Sequence, residues 1–182
     1  NSKFTSNYSQ FKPFFKYIGV VFLGFTFFYF FPSLALATFI IVSIYHFGEQ
    51  HLEAIPITRS LKNNYRVISI VSHGIILFTI IFMNNINTVN NVFLSFKINF
   101  LSYNTLNIIL ITASIVYIST LFVNKHLTSF IFSEILFFVL FYYLSLSSTL
   151  ILCFSVYFIF FHSLLSIKDQ VKYIYGSNDS NS

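Results

Sequence analysis

The residues with the clearest chemical potential lie in the run Ser43-Ile-Tyr-His-Phe-Gly-Glu-Gln-His51, which ends a strongly apolar segment. Ionisable and polar groups are costly inside a bilayer, so such groups mark functional sites. Neutral imidazole is the commonest metal ligand in proteins, and nitrogen-rich sites suit iron, copper or zinc. The run therefore predicts a metal or haem site around His46, with a proton or ion pathway as the alternative.

Three other ionisable residues fall at the depth expected for His46. His73, Glu134 and His162 each lie six to eight residues from the polar end of an apolar segment, as His46 does. At about 1.5 Å per residue in a helix, all four lie roughly 10 Å below the same membrane boundary. We expect them to meet in the bundle interior, with Glu134 as a hydrogen-bond acceptor that fixes a histidine tautomer.

The remaining polar positions have simpler interpretations. His73, taken alone, could equally hydrogen-bond to a neighbouring carbonyl. Gly74 beside it is typical of a close helix–helix contact. His51 and His126 lie nearer the membrane interface, where a solvated side chain is expected. These interpretations leave His46 and His162 as the strongest candidates for metal ligands.

The elements that position these residues are membrane helices. Of the 182 residues, 56% are hydrophobic, 8% are charged and none is tryptophan. A water-soluble domain of this length does not hide so much apolar surface. The composition therefore excludes a soluble protein and predicts an all-α, polytopic helix bundle that forms a single integral-membrane domain over residues 1–182.

Six segments have about the 20 apolar residues that a helix needs to cross a bilayer core. They are approximately 14–31, 33–53, 65–83, 105–124, 127–146 and 148–168. Pro32 separates the first pair, because proline disfavours helix before it. A tight turn around Ser145–Ser148 is expected to separate the last pair.

The polar segments between and after the spans are expected to lie outside the membrane core. The Asn-rich stretch Asn84–Asn91 predicts a polar loop, and Val92–Leu101 fits either an interfacial helix or an extension of that loop. Residues 174–182 form a polar tail.

The basic residues are distributed asymmetrically over the ends of these spans. With six spans, nine of the ten lysines and arginines fall on one side, and Lys97 alone falls on the other. The positive-inside rule then places both visible termini in the cytoplasm of a cell whose inner membrane holds the protein. The net charge of +5 suits anionic headgroups and requires no nucleic-acid partner.

Two segments resemble motifs of a known family. Tyr45-His-Phe-Gly-Glu-Gln50 is similar to the His-Phe-Gly element of the bacterial Brp/Blh family of β-carotene 15,15′-dioxygenases. The segment Ser155–Gln170, which contains Tyr157-Phe158 and Phe161-His162-Ser163, resembles that family's Tyr-Phe and Trp-His-Ser element. The order, the spacing and the membrane setting of the two motifs also fit.

The resemblance implies an integral-membrane enzyme that cleaves β-carotene at its central double bond with O2. The product would be retinal, and we expect it to supply a rhodopsin chromophore. Members of the family resemble iron enzymes with histidine ligands. His46 and His162 match the histidines of its two motifs, so the resemblance implies that these two residues are ligands to Fe(II). Gln50 and Glu134 are then expected to hydrogen-bond to the ligand histidines without binding the metal themselves. Tyr45, Phe47, Tyr157, Phe158 and Phe161 flank the two histidines and are candidates to line the substrate site.

The sequence departs from the family pattern at three points. A His-Gly-x-x-Asp element belongs on an earlier span of the family, and its absence here implies a chain that lacks its first span. Ser166 stands where the family often has a further histidine, and His51 stands where an aspartate is usual. His51 and His73 are therefore further candidates for a vacant ligand position.

Two other functions remain open at the sequence level. A non-catalytic b-type haem protein would use two histidines on facing helices as axial ligands. A proton or ion transporter would use Glu134 and the histidines as a relay. The sequence contains no inverted repeat or broken helix that favours the transporter.

Overall fold

The described part of the chain is a bundle of helices. The computed structural model describes the backbone of residues 2–53, 63–123 and 130–163 with positions 167 and 171, and the side chains there except at 2–13, 63, 161 and 162. Its elements are α1 (Ser2–Phe30), α2 (Pro32–Glu53), α3 (Asn63–Asn84), α4 (Ile86–Ser95), α5 (Tyr103–Val123), α6 (Ile131–Leu146), α7 (Leu150–Tyr157) and a π-helical turn (Phe158–Ser163). The predicted all-α architecture is confirmed.

Three of the described helices are long and apolar enough to cross a membrane. They cover Pro32–Glu53, Asn64–Asn84 and Tyr103–Val123, which are the second, third and fourth predicted spans. Shorter apolar helices cover Phe14–Phe30, Ile131–Leu146 and Leu150–Phe160, within the other three predicted spans. The polar tail 174–182 and His126 lie outside the described residues.

The two predicted breaks between adjacent spans are present. α1 ends at Phe30 and α2 begins at Pro32, as expected from a proline at a first helical position. α6 ends at Leu146 and α7 begins at Leu150, with the Thr149 side chain accepting a hydrogen bond from the Leu152 amide as the N-cap. The single apolar stretch therefore folds back close to the predicted turn.

The prediction of a polar loop over Asn84–Asn91 is wrong, because α4 begins within it. Val89 and Phe93 lie four residues apart on one face of α4, and both are buried. The Phe93 ring packs edge-on against Phe82 of α3, with 6.1 Å between ring centroids. Burial of this apolar face stabilises a helix despite the low helix propensity of asparagine. Of the two alternatives for Val92–Leu101, helix is correct up to Ser95.

Asn90 connects α4 to the segment that leads into α5. Its side chain accepts a hydrogen bond from the Leu101 amide at 2.9 Å and donates one to the Leu101 carbonyl at 3.1 Å. We expect Asn90→Ala to destabilise the protein by about 1–3 kcal/mol, because both backbone groups lose their partner. Asn91→Ala is the matched control, since Asn91 is exposed on the same helix. Unfolding in mixed detergent micelles measures both, and equal effects would contradict this role.

α3 is the centre of the bundle and packs against α2, α5, α6 and α7. It crosses α2 where Gly48 and Gly74 meet. A Cβ atom at Gly48 would overlap the Ile70 carbonyl oxygen, and one at Gly74 would overlap the Ile44 carbonyl oxygen. Only glycine allows two helix backbones to approach this closely. The expectation that Gly74 serves helix packing is confirmed.

Polar side chains connect α3 to its other neighbours. The Ser69 hydroxyl donates to Thr120 of α5 at 2.8 Å, and the Asn84 amide donates to Ser145 of α6 at 3.1 Å. Such bonds between helices hold bundles together in apolar surroundings. α3 is therefore fixed on both sides, and the side chains on its buried face have defined positions.

Candidate metal centre

Three ionisable side chains from three helices converge in the interior of the bundle. His51 of α2 and Glu134 of α6 lie 2.9 Å apart, measured from Nε2 to Oε1. His73 of α3 approaches the same carboxylate, with 3.6 Å between its Nδ1 and Oε2 of Glu134. All three residues are buried, and one potential ligand atom from each lies within 4.8 Å of the others. Two imidazoles and a carboxylate form a donor set that could hold a metal ion.

Tyr117 and aromatic rings complete the surroundings of this cluster. The Tyr117 hydroxyl, from α5, donates to Oε2 of Glu134 at 2.7 Å. The His51 and His73 rings stack at 4.0 Å between centroids, and Phe137 packs against both of them. The carboxylate therefore accepts a hydrogen bond from Tyr117 and lies within hydrogen-bond distance of His51, inside an otherwise aromatic shell.

Local features of the sequence set each of these positions. The close crossing at Gly48 and Gly74 brings α2 against α3, and His51 and His73 lie within one turn of these glycines. Glu134 lies in the first turn of α6, where the helix dipole favours a negative charge. The backbone contact between the glycines thus brings the two imidazoles together.

The residues that meet in the structure differ from the four that were predicted to share one depth. His73 and Glu134 meet as expected, but their partner on α2 is His51, not His46. The expectation that His51 is solvated at the interface is wrong, since its residue is only 7% exposed. Its Nε2 contact with Glu134 explains its burial, because a paired imidazole is tolerated in the interior.

His46 lies partly buried on α2 beside Gln50. The amide nitrogen of Gln50 lies 3.0 Å from Nε2 of His46, one helical turn away. An amide nitrogen can only donate, so in this arrangement Nε2 of His46 accepts a hydrogen bond from Gln50. His162 belongs to the π-helical turn Phe158–Ser163, and its side chain lies outside the described residues.

The two motif segments contact each other in the fold. The Tyr157 hydroxyl, at the end of α7, donates to the Phe47 carbonyl at 2.9 Å, and the two rings pack at 4.7 Å between centroids. The π-helical turn that follows Tyr157 also contacts α2. π-helical turns occur frequently at functional sites. The His-Phe-Gly element and the segment that contains His162 are therefore neighbours.

The five aromatic residues that are candidates to line the substrate site differ in where they lie. Phe47 and Phe158 line a groove of about 600 Å³ between α2 and α7. Tyr157 is buried behind it, while Tyr45 lies on the exposed side of α2 and its hydroxyl donates to Glu49 at 3.3 Å. The side chain of Phe161 is outside the described residues. The described groove is apolar, as a hydrocarbon ligand requires.

Sequence reasoning did not identify Tyr117. It lies six residues before Val123, the end of α5, at the depth assigned to the histidines, but tyrosine is common in apolar helices and carries no charge that distinguishes it. The depth comparison, extended from charged residues to phenols, would have included it. For His51, the available signal in the sequence was its position one helical turn after Gly48, the residue at which α2 crosses α3.

The comparisons with known proteins agree with the motifs. No curated protein and no solved structure matches the chain. The model of one family, described as beta-carotene 15,15′-dioxygenase, matches residues 1–182. This match covers the whole chain, including both motif segments. The chain therefore belongs to the β-carotene 15,15′-dioxygenase family.

Proposed function

We propose that the protein is an iron-dependent dioxygenase that cleaves β-carotene at its central double bond and releases retinal. One molecule of β-carotene and one of O2 contain the atoms of two retinal molecules, so no further reductant is needed. The family match supports carotene cleavage. The use of iron, cleavage at the central double bond and the retinal product are what we propose beyond that match.

The observation that carries this proposal is the contact between the two motif segments. Tyr157 bonds to the carbonyl of Phe47, the residue after His46, and the π-helical turn with His162 contacts the same helix. Residues about 110 positions apart in the chain are thus brought together, as a shared site requires. The contact supports a site at this junction of α2 and α7.

His46 and His162 would hold the metal at this junction. Imidazole nitrogen suits Fe(II). Gln50 lies one helical turn from His46, with its side-chain amide within hydrogen-bond distance of the ring. Bound Fe(II) would supply the position at which O2 is activated beside the alkene. The protein residues supply orientation of the ligands and an apolar enclosure.

The groove between α2 and α7 gives the polyene a route to this site. Phe47 and Phe158 lie on its walls together with Phe39 and Ile159, and it is open on the outside of the bundle. A hydrocarbon dissolved in the bilayer can enter it without crossing water. The aromatic walls exclude water from the reacting alkene, which prevents side reactions.

The proposed setting follows from the same chemistry. We place the protein in a bacterial inner membrane with its visible termini in the cytoplasm, as the excess of lysine and arginine on one side indicates. Its three long apolar helices support a membrane location. Retinal would leave into the bilayer and reach a rhodopsin there.

Pigment chromatography of β-carotene-producing bacteria tests the proposal. Expression of the protein with iron supplied should produce retinal while β-carotene decreases. Retinal that is absent, while the protein is present in the membrane fraction, would contradict the proposed reaction. Longer apocarotenals in place of retinal would contradict central cleavage. A Soret absorbance band in the purified protein would instead support a haem protein.

A further inference from the structure

We propose that His51, His73 and Glu134 form a second metal site, separate from the one assigned to His46 and His162. The ligand would be a divalent first-row transition metal. Two histidines and one carboxylate are the donor set that Fe(II) oxygenases use, so Fe(II) is the ion expected here. The site goes beyond the histidine-only ligation that the family motifs imply, and it does not depend on carotene cleavage.

The spacing of the donor atoms fits one ion. Ligand atoms about 2.1 Å from a metal, at angles of 90–109°, lie roughly 3.0–3.4 Å apart. His51 Nε2 lies 2.9 Å from Oε1 of Glu134, and His73 Nδ1 lies 3.6 Å from Oε2, the other oxygen of the same carboxylate. One potential ligand atom from each residue lies within 4.8 Å of the others, and the stacked His51 and His73 rings would turn relative to each other to share a metal.

His73 provides an independent indication of a missing ligand. Its side chain is completely buried, and neither of its ring nitrogens has a hydrogen-bond partner among the described residues. A buried polar group without a partner costs about 1–3 kcal/mol. A metal bound to one of these nitrogens would remove that cost and would explain a histidine at the centre of an apolar helix.

The charge of Glu134 points to the same conclusion. The described residues surround its carboxylate with two imidazoles and the hydroxyl of Tyr117. A buried carboxylate that stays charged is normally paired with a cation or bound to a metal. With neutral imidazoles, a divalent cation balances the carboxylate and leaves both histidines in the state that binds metals.

The geometry of α2 separates this site from the His46 site. His46 and His51 are five residues apart, so their side chains project about 140° apart around the helix axis. His46 lies partly buried beside Gln50, whereas His51 is buried against Glu134. The two histidines therefore face different sides of α2, and one ion cannot be shared between them.

Metal analysis of the protein in lipid nanodiscs tests this proposal without any assay of activity. The protein is loaded anaerobically with Fe(II), washed, and analysed for iron content and for the electron paramagnetic resonance signal of its nitric oxide adduct. We expect His73→Leu and Glu134→Gln each to weaken Fe(II) binding at this site by more than about 100-fold. Loss of a residue that only hydrogen-bonds to a metal ligand already lowers metal affinity by about 10–100-fold. His46→Ala should leave this iron in place.

Tyr117 is a positioning residue in this scheme, because it holds Glu134 without being counted among the ligands. Tyr117→Phe should weaken Fe(II) binding about 10-fold and leave the bound stoichiometry intact at saturating Fe(II). Tyr143→Phe is the matched control, since Tyr143 of α6 is 63% exposed. An equal effect of the two variants would contradict the positioning role.

The alternative is a purely structural hydrogen-bond network. In that case Glu134→Gln keeps the shape of the network, His73→Leu removes an unpaired imidazole, and neither changes the iron content. That result would overturn the second site, as would iron that His46→Ala removes completely. Loss of one part of the bound iron in His46→Ala, and of the other part in folded His73→Leu, would support it, even if no carotene is cleaved. Near-ultraviolet circular dichroism establishes folding in each variant.

Discussion

Replacing His46 by alanine is expected to reduce β-carotene cleavage to below about one hundredth of the wild-type rate, since loss of an outer partner alone costs 10–100-fold. His46 is the histidine of the His-Phe-Gly motif, and it lies on the helix that contacts the second motif segment. Without its imidazole, the proposed iron loses a ligand and its orientation. Membrane insertion should be unaffected, because alanine is apolar.

The rate of retinal formation in vesicles that contain β-carotene and Fe(II) measures this effect. Glu53→Gln is the control, because Glu53 ends the same helix in an exposed ion pair with Arg66. Exogenous imidazole should restore part of the cleavage to His46→Ala if the side chain is a ligand. Cleavage above about one tenth of the wild-type rate in His46→Ala would contradict the assignment, since ligand loss exceeds any outer-partner effect.

The bundle architecture could be predicted because the bilayer constrains it strongly. Helix length follows from membrane thickness, and apolar runs are easy to recognise. The break at Pro32 and the turn before Leu150 were therefore located closely. α4 was missed because its burial depends on two residues, Val89 and Phe93, among many asparagines. Their four-residue spacing was the available signal.

The candidate site was predicted only in part, because depth in the membrane does not determine rotation about a helix axis. His73 and Glu134 were expected to meet, and they do. Depth favoured His46 over His51 on α2, whereas the structure brings His51 to the cluster. The decision depends on which face of α2 packs against α3, and the contact between Gly48 and Gly74 sets that face. The positions of Gly48 and Gly74 therefore indicate which face of α2 packs against α3, and the polar residues do not.

The same contact leads to the second large effect, on stability. Gly48→Ala is expected to destabilise the protein by about 3 kcal/mol or more, at the upper end of overpacking effects. Its Cβ would overlap the Ile70 carbonyl oxygen and would lie 2.8 Å from the Ile70 carbonyl carbon. Both are backbone atoms, so no side-chain rotation relieves the clash. Gly74→Ala should behave alike, because its Cβ meets the backbone of Ile44 in the same way.

The opposite sign is expected at glycines outside the crossing. Gly19 and Gly24 of α1 have nothing within 4 Å of an added Cβ, so alanine there should stabilise the helix by up to about 1 kcal/mol. Unfolding of purified protein in mixed micelles distinguishes the two pairs. Similar changes at Gly48 and Gly19 would show that the backbones do not touch. Because a wider crossing also separates His51 from His73, Gly48→Ala should weaken Fe(II) binding at the second site even in detergent conditions where the variant remains folded.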